Sequence, residues 1–363
     1  MTDPREEDSR ADSGGDSWPE QPFPRRRWDA EQPEAELARR ERELPRTLMD
    51  VTENGTQRAP GTQEPGAVRQ QAVFDPALLH FSRAFRVGEP RFDDPATADR
   101  WRATRRQALD AVLTAIAGSA WAGSLVLRGS ALLAGWFGPA AREPRDLDFV
   151  VVPADWRIEE ARTGRMLQEV AAASQQAAAT RDGGPALLAG QARSEYIWAY
   201  ERVPGRRMVL PWTAAGLPGG VVQLDFVFGE ELPVAPVRSR VRLAEDESPG
   251  AELLTATPEL SLAWKLLWLV TDMHPQGKDL YDAVLLAERF PLRYDLLNVV
   301  LSREEPVRSR GHVTFHDIEQ AADPFEWEHF HQEYPHLADD QRRYADRLVD
   351  ALRPVFPPAP GTS

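Results

Sequence analysis

Apolar and polar residues alternate along this chain in two rhythms, and the switches between them mark its elements. Residues 95–116 carry Leu109, Val112, Leu113 and Ile116 at intervals of three and four, the stripe of an amphipathic helix. Asp94, just before Pro95, is the predicted N-cap. Further helices are predicted over 74–85 (Leu78, Leu79, Phe81, Phe85), 131–137 and 157–179; the second stops at Gly138-Pro139 and the third at Asp182-Gly183-Gly184. The apolar runs 125–127 and 149–152 are short enough to be buried strands. After residue 192 the period falls to two. Residues 192–202, 207–212 and 220–228 are predicted strands, with Val203-Pro204-Gly205-Arg206 as a hairpin turn. At Pro258 the helical period returns. Leu260, Leu262, Ala263, Leu266, Leu267 and Val270 line a helix over 259–271 capped by Thr257, a second follows over 279–289, and 294–356 divides into helical pieces and loops.

Polar residues inside these apolar patterns carry the chemistry. Asp146-Leu147-Asp148 opens the strand ending in Val152, and alternation puts both carboxylates on one face. Gly129-Ser130 interrupts the preceding strand. The order strand, Gly-Ser, helix, loop, Asp-x-Asp on a strand predicts a site for a divalent cation and a triphosphate. Asp225 sits within the alternation of VVQLDFVF, where an uncompensated carboxylate is costly; a metal, a cation or a salt bridge to a nearby arginine would each compensate it. Lys265 lies mid-helix among apolar residues; a surface lysine with its stem along the helix is the commonplace alternative. Asp279 and Asp282 fall on one face of the helix opening at Lys278-Asp279-Leu280-Tyr281-Asp282, although acids favour helix N-termini in any case. His312 and His316 have a ligand-like spacing, but the residues around them suit a strand or loop and no Glu lies between them, so zinc is not expected.

Composition narrows the class. The 363 residues are 42% hydrophobic and 28% charged, enough for a large core, and the absence of cysteine excludes disulfides and thiolate metal sites. A net charge of −14 argues against non-specific coating of nucleic acid while leaving room for local basic runs such as Arg238, Arg240 and Arg242. The polar, acidic start and the lack of a long apolar run predict a cytoplasmic protein with no membrane partner. Residues 1–72, rich in Pro, Gly and charge, are expected to be a disordered tail. The expected organisation is a core over 73–255, a C-terminal helical region over 256–356 and a short tail over 357–363. The fold class is α+β, a mixed sheet flanked by helices.

Four stretches, in order, resemble the AbiEii/AbiGii-type nucleotidyltransferases of the DNA-polymerase-β-like superfamily: Gly129-Ser130-Ala131-Leu132; Arg142 through RDLDF; Gln223-Leu224-Asp225-Phe226-Val227-Phe228-Gly229; and Lys265 followed by KDLYD. The resemblance covers about residues 124–288. Arg128 stands where the family usually has a first glycine, Pro144 where Ser or Thr is common, and Trp264 where an acid usually precedes the lysine. The resemblance implies metal-assisted transfer of NMP from an NTP, with Mg²⁺ or Mn²⁺ held by Asp146, Asp148 and Asp225. Asp225 would help deprotonate the acceptor, and Gly129 and Ser130 would cradle phosphates. It further implies that Lys265 neutralises the triphosphate with little part in stability, that Asp279 or Asp282 positions Lys265 or the nucleotide sugar, and that Arg142, Arg145 and Lys278 engage substrate. The implied acceptor is the tRNA 3′ end, with a cognate antitoxin as protein partner. Transfer to a small molecule or protein, or nucleotide binding without transfer, are the alternatives.

Overall fold

The computed structural model describes residues 50–51, 56–58, 70–74, 85–87, 90–199, 203–245, 249–271, 275–304, 307–322, 327–337 and 339–357. All belong to one compact unit, residues 44–363; the other unit, residues 1–43, lies outside them. So do most of the expected tail and most of the helix expected over 74–85. The described pieces there are four short strands, β1 (Asp50–Val51), β2 (Thr56–Arg58), β3 (Gln70–Phe74) and β4 (Phe85–Val87), paired antiparallel in sequence order.

Helix α1 (Pro95–Ala117) starts where its cap predicts: the Asp94 carboxylate accepts from the backbone N–H of Ala96 and Thr97. Strand β5 (Leu125–Arg128) leads through Gly129 into α2 (Ser130–Phe137), and a loop brings the chain to β6 (Asp146–Val151). Helix α3 (Ala161–Ala179) follows, then β7 (Ala186–Leu187), β8 (Arg193–Ala199), β9 (Val203–Ala214), β10 (Leu217–Val227), β11 (Val237–Val241) and β12 (Ala251–Thr255). The helices α4 (Pro258–Thr271), α5 (Gly277–Arg289), α6 (Tyr294–Leu301), α7 (Val307–Arg310), α8 (Phe315–Ala321), α9 (Trp327–Glu333) and α10 (Gln341–Leu352) complete the chain. Thr257 caps α4 as predicted, its Oγ1 accepting from the N–H of Leu260 at 3.1 Å. No helix among the described residues is long and apolar enough to cross a membrane.

The eight strands from β5 to β12 form one mixed sheet in the order β11-β12-β5-β6-β10-β9-β7, with β8 also paired to β9. The parallel pairs are β12 with β5 and β6 with β10; the others are antiparallel. One face is apolar. Leu147 and Phe149 of β6 stand in register with Leu224 and Phe226 of β10, and the two phenylalanine rings stack at 5.5 Å. Helix α1 packs on β10, β12 and α3, burying Leu109, Val112, Leu113 and Ile116. Its Asp110 carboxylate, also buried, accepts from the N–H groups of Leu243 and Ala244 at 2.9 and 2.8 Å and so ties the helix to the loop after β11.

Two sequence expectations need correction. Residues 203–206 do not turn. They begin β9 and pair antiparallel with β8. Gly205 serves close packing instead, because a Cβ there would lie 2.9 Å from the Ile197 side chain and 3.1 Å from the Phe226 carbonyl. Strands β7, β11 and β12 were not foreseen. They have two to five residues each, too short to establish a period, and AELLT suits a helix as well as a strand.

Candidate active site

The sheet's polar face gathers the charged residues into one row. In register across four strands stand Arg128 of β5, Asp148 of β6, Asp225 of β10 and Arg207 of β9, and paired residues share a face. Asp146 lies two residues before Asp148, in register with Gln223, on the same side. Thus the three predicted carboxylates meet on neighbouring parallel strands, and the pleat of β6 and β10 holds them there.

The Gly-Ser turn closes on this row from the end of β5. Gly129 has φ +79°, and a Cβ at this position would lie 2.2 Å from Oδ2 of Asp148. Only glycine satisfies both the backbone and the approach of the carboxylate. Ser130, the first residue of α2, donates from Oγ to Oδ1 of Asp146 at 3.3 Å. Asp148 therefore sits partly buried among its own kind. Burial, then the carboxylates of Asp146 and Asp225, push its pKa up to about 7, while the charges of Arg128 and Lys278 pull it down. The influence of Lys278 brings the start of α5 into the site's field.

Asp225 is engaged differently. Arg207 donates from Nε and Nη2 to its two carboxylate oxygens at 2.9 and 2.8 Å, and the Gln223 amide adds a bond at 3.3 Å. Of the compensations open to Asp225 in the sequence, the salt bridge to an arginine is the one in place. Among the described residues no group of three or more His, Asp or Glu is arranged to hold a metal ion. Arg207 is a member of this site that the sequence did not flag: it lies 18 residues from Asp225, and strand pairing alone unites them. The pattern that would have revealed it is a cationic residue inside an apolar alternation, the same signal that marked Asp225.

Four further predicted residues meet in a buried network. Arg142 donates from Nε and Nη2 to Asp282 at 3.0 to 3.1 Å. Lys265 reaches Oδ1 of Asp279 at 2.7 Å and Oδ2 of Asp282 at 2.9 Å. All four are buried, with Lys265 only 3% exposed, so it is not a surface lysine. Burial by itself would raise the pKa of Asp282, but Arg142 and Lys265 hold it below the ordinary carboxylate value. Burial likewise opposes the charge on Lys265, and Asp279 and Asp282 more than restore it. With two cations and two carboxylates, the network is neutral. Arg145, from the same loop as Arg142, pairs with Glu333 of α9, Nη1 to Oε1 at 2.9 Å, and also contacts the Tyr334 hydroxyl. His312 and His316 take no part; the His312 ring is exposed and bonds the Arg310 carbonyl.

Beside the loop after α2 lies a cavity of about 1000 Å³. Arg91, Arg102, Arg106, Arg142, Arg242 and His336 contribute to its lining, against Glu143, Glu245 and Glu333.

The family comparison agrees with the resemblance that the motifs carry. Residues 111–355 match the family described as nucleotidyl transferase AbiEii toxin, type IV toxin–antitoxin system. A solved structure from H. pylori, assigned as a nucleotidyltransferase, aligns with 72% of this chain and 95% of its own at 12% identity and a TM-score of 0.39. MenT4, a nucleotidyltransferase toxin from Mycobacterium tuberculosis H37Rv, aligns with 73% of this chain and 96% of its own at 15% identity, also with a TM-score of 0.39. No curated protein sequence matches the chain. The family match spans well over half of the residues, and the chain belongs to the AbiEii nucleotidyltransferase toxin family.

Proposed function

We propose that this AbiEii-family chain transfers the nucleoside monophosphate of an NTP to the 3′-hydroxyl of an RNA, with the tRNA 3′ end as acceptor, and acts as the toxin of a toxin–antitoxin pair. The observation that carries the reading is the row of Asp146, Asp148 and Asp225 facing the Gly129-Ser130 turn. Such hard carboxylate oxygens suit Mg²⁺ or Mn²⁺, and burial, then the neighbouring Asp146 and Asp225, raise the pKa of Asp148, a cost that a divalent ion would offset. Asp146 and Asp148 would hold the ion, joined by Asp225 on release from Arg207. When bound, the ion supplies Lewis-acid stabilisation of the charge developing on the phosphates.

The chain's own groups do the rest. The first N–H groups of α2 and the Ser130 hydroxyl donate to the β- and γ-phosphates, as helix N-termini do for anions. Lys278 adds charge at the site's edge. Asp225, freed from Arg207, accepts the proton of the acceptor hydroxyl. That oxygen attacks the α-phosphorus, the bond from the α-phosphorus to the bridging oxygen breaks, and pyrophosphate leaves. The neutral Arg142, Lys265, Asp279 and Asp282 network holds α5 against the loop that aims Asp146. The acceptor would approach through the cavity beside that loop, where arginines and glutamates both contribute to the lining.

The test is incubation with each labelled NTP, Mg²⁺ and total tRNA. Label should appear on tRNA, and periodate oxidation of the 3′-terminal ribose should prevent it. Label on protein or on a small metabolite in a lysate, with none on RNA, would assign a different acceptor.

A further inference from the structure

Arg128 is 4% exposed, yet most of its hydrogen-bonding capacity is unused. A guanidinium offers five N–H donors. Among the described residues this one makes a single hydrogen bond, from Nη1 to Oε2 of Glu230 at 2.8 Å, and neither of its other nitrogens is closed off from solvent. The group is held by stacking instead. It lies 5.1 Å from the Trp264 ring centroid and 5.5 Å from that of Trp268, both on α4. Hence two of the three positions at which the chain departs from the residues usual in the family it resembles, Arg128 and Trp264, touch each other. A planar cation between indole faces and one carboxylate is fixed in orientation but only partly satisfied.

Its location gives those spare donors a purpose. Arg128 is the last residue of β5, directly before the Gly129-Ser130 turn and cross-strand from Asp148. Lys265, by contrast, is already committed: two carboxylates bind its ammonium, and Arg142 balances the remaining charge. Withdrawing Lys265 toward a substrate would leave the buried Asp279 without its cation, which is costly.

We propose that Arg128, and not Lys265, is the side chain that neutralises the triphosphate in this protein, its free N–H donors taking non-bridging phosphate oxygens while Trp264 and Trp268 hold the guanidinium plane. The assignment rests on the nucleotidyl-transfer reading. Glu230 is the counter-ion in the absence of substrate, and the incoming anion takes over part of its role.

The experiment measures, by calorimetry on the full chain with Mg²⁺, the affinity for inorganic tripolyphosphate and for each NTP. Arg128→Gln should weaken both by about tenfold or more, and Arg128→Lys should restore only part, because an ammonium lacks the stacked, forked geometry. The affinity for the matching nucleoside should not change, which a merely structural role for Arg128 would not predict. Lys265→Met, where it remains folded, should bind tripolyphosphate within about twofold of wild type. Unchanged tripolyphosphate binding in Arg128→Gln, or a tenfold loss confined to Lys265→Met, would overturn the assignment and leave the transferase reading intact. Wild-type protein that binds no triphosphate at all would overturn both.

Discussion

Replacing Asp148 with asparagine is expected to abolish nucleotidyl transfer and, at the same time, to stabilise the fold more as the pH rises. The first effect follows from its place between Asp146 and Asp225: the variant keeps the shape of the side chain and removes the charge. The loss should be on the order of a hundred- to a thousandfold or more, the scale of deleting one preorganised transition-state group. The second effect follows from the sign of its pKa shift. The ordinary carboxyl titrates near 3.8, and burial with two neighbouring carboxylates raises it to about 7 in the folded chain. Between those values the folded state binds more protons than the unfolded state, so wild-type stability falls as pH rises through the window. The asparagine variant carries no such penalty. Its melting temperature should match wild type near the acid end of the window and exceed it above pH about 7, by on the order of a few kcal/mol in free energy. Thermal melts across that range, paired with transfer assays, check both halves. A variant that loses activity but gains nothing in stability at alkaline pH would mean that burial and the neighbouring carboxylates do not raise the Asp148 pKa.

The second large effect is on stability. Lys265→Met removes the ammonium from a network in which it serves Asp279 and Asp282. The buried Asp279 then loses the cation that binds it, while Arg142 still serves Asp282, and breaking a buried ion pair from one side costs about 3–5 kcal/mol. For a chain of this size that is a fall in melting temperature of roughly 10 °C. Adding Asp279→Asn should recover much of the loss, since it removes the carboxylate that Lys265 alone served and leaves the Arg142–Asp282 pair intact. The stability supplied by Asp282, whose pKa is held below its ordinary 3.8, is present above that value and lost as pH falls through the depressed one. The gap between Lys265→Met and wild type should therefore narrow in strong acid. A variant melting within a degree or two of wild type would show that the network is not the keystone its burial implies.

This second prediction reverses the role that the sequence suggested for Lys265, and the reason shows what sequence could carry. Elements announced by a long or strict pattern were legible: α1 with its Asp94 cap, α4 with Thr257, and the Asp146–Asp148 pair opening β6. Asp225 was legible as well, because a carboxylate inside an apolar alternation is conspicuous. What could not be read was which groups meet across the fold. Arg207 reaches Asp225 only because β9 and β10 pair in that register. Arg142 and Asp282 are 140 residues apart in sequence and form the centre of the buried network. Residues 203–206 carried the composition of a turn, but β8 extended their pairing, and Gly205 proved to be a contact residue. Short strands such as β12 have no periodicity to detect, although β12 pairs with β5 inside the sheet.

The most direct test of the central claim, that the carboxylate row carries nucleotidyl transfer, follows the two ends of the triphosphate separately. Wild-type protein is incubated with Mg²⁺, total tRNA and the NTP labelled at either the α- or the γ-phosphate. Transfer through Asp146, Asp148 and Asp225 predicts that the α label joins the RNA while the γ label appears only in pyrophosphate, and that Asp148→Asn shows neither. Label from the γ-phosphate on the acceptor, or α-label incorporation undiminished in Asp148→Asn, would contradict it.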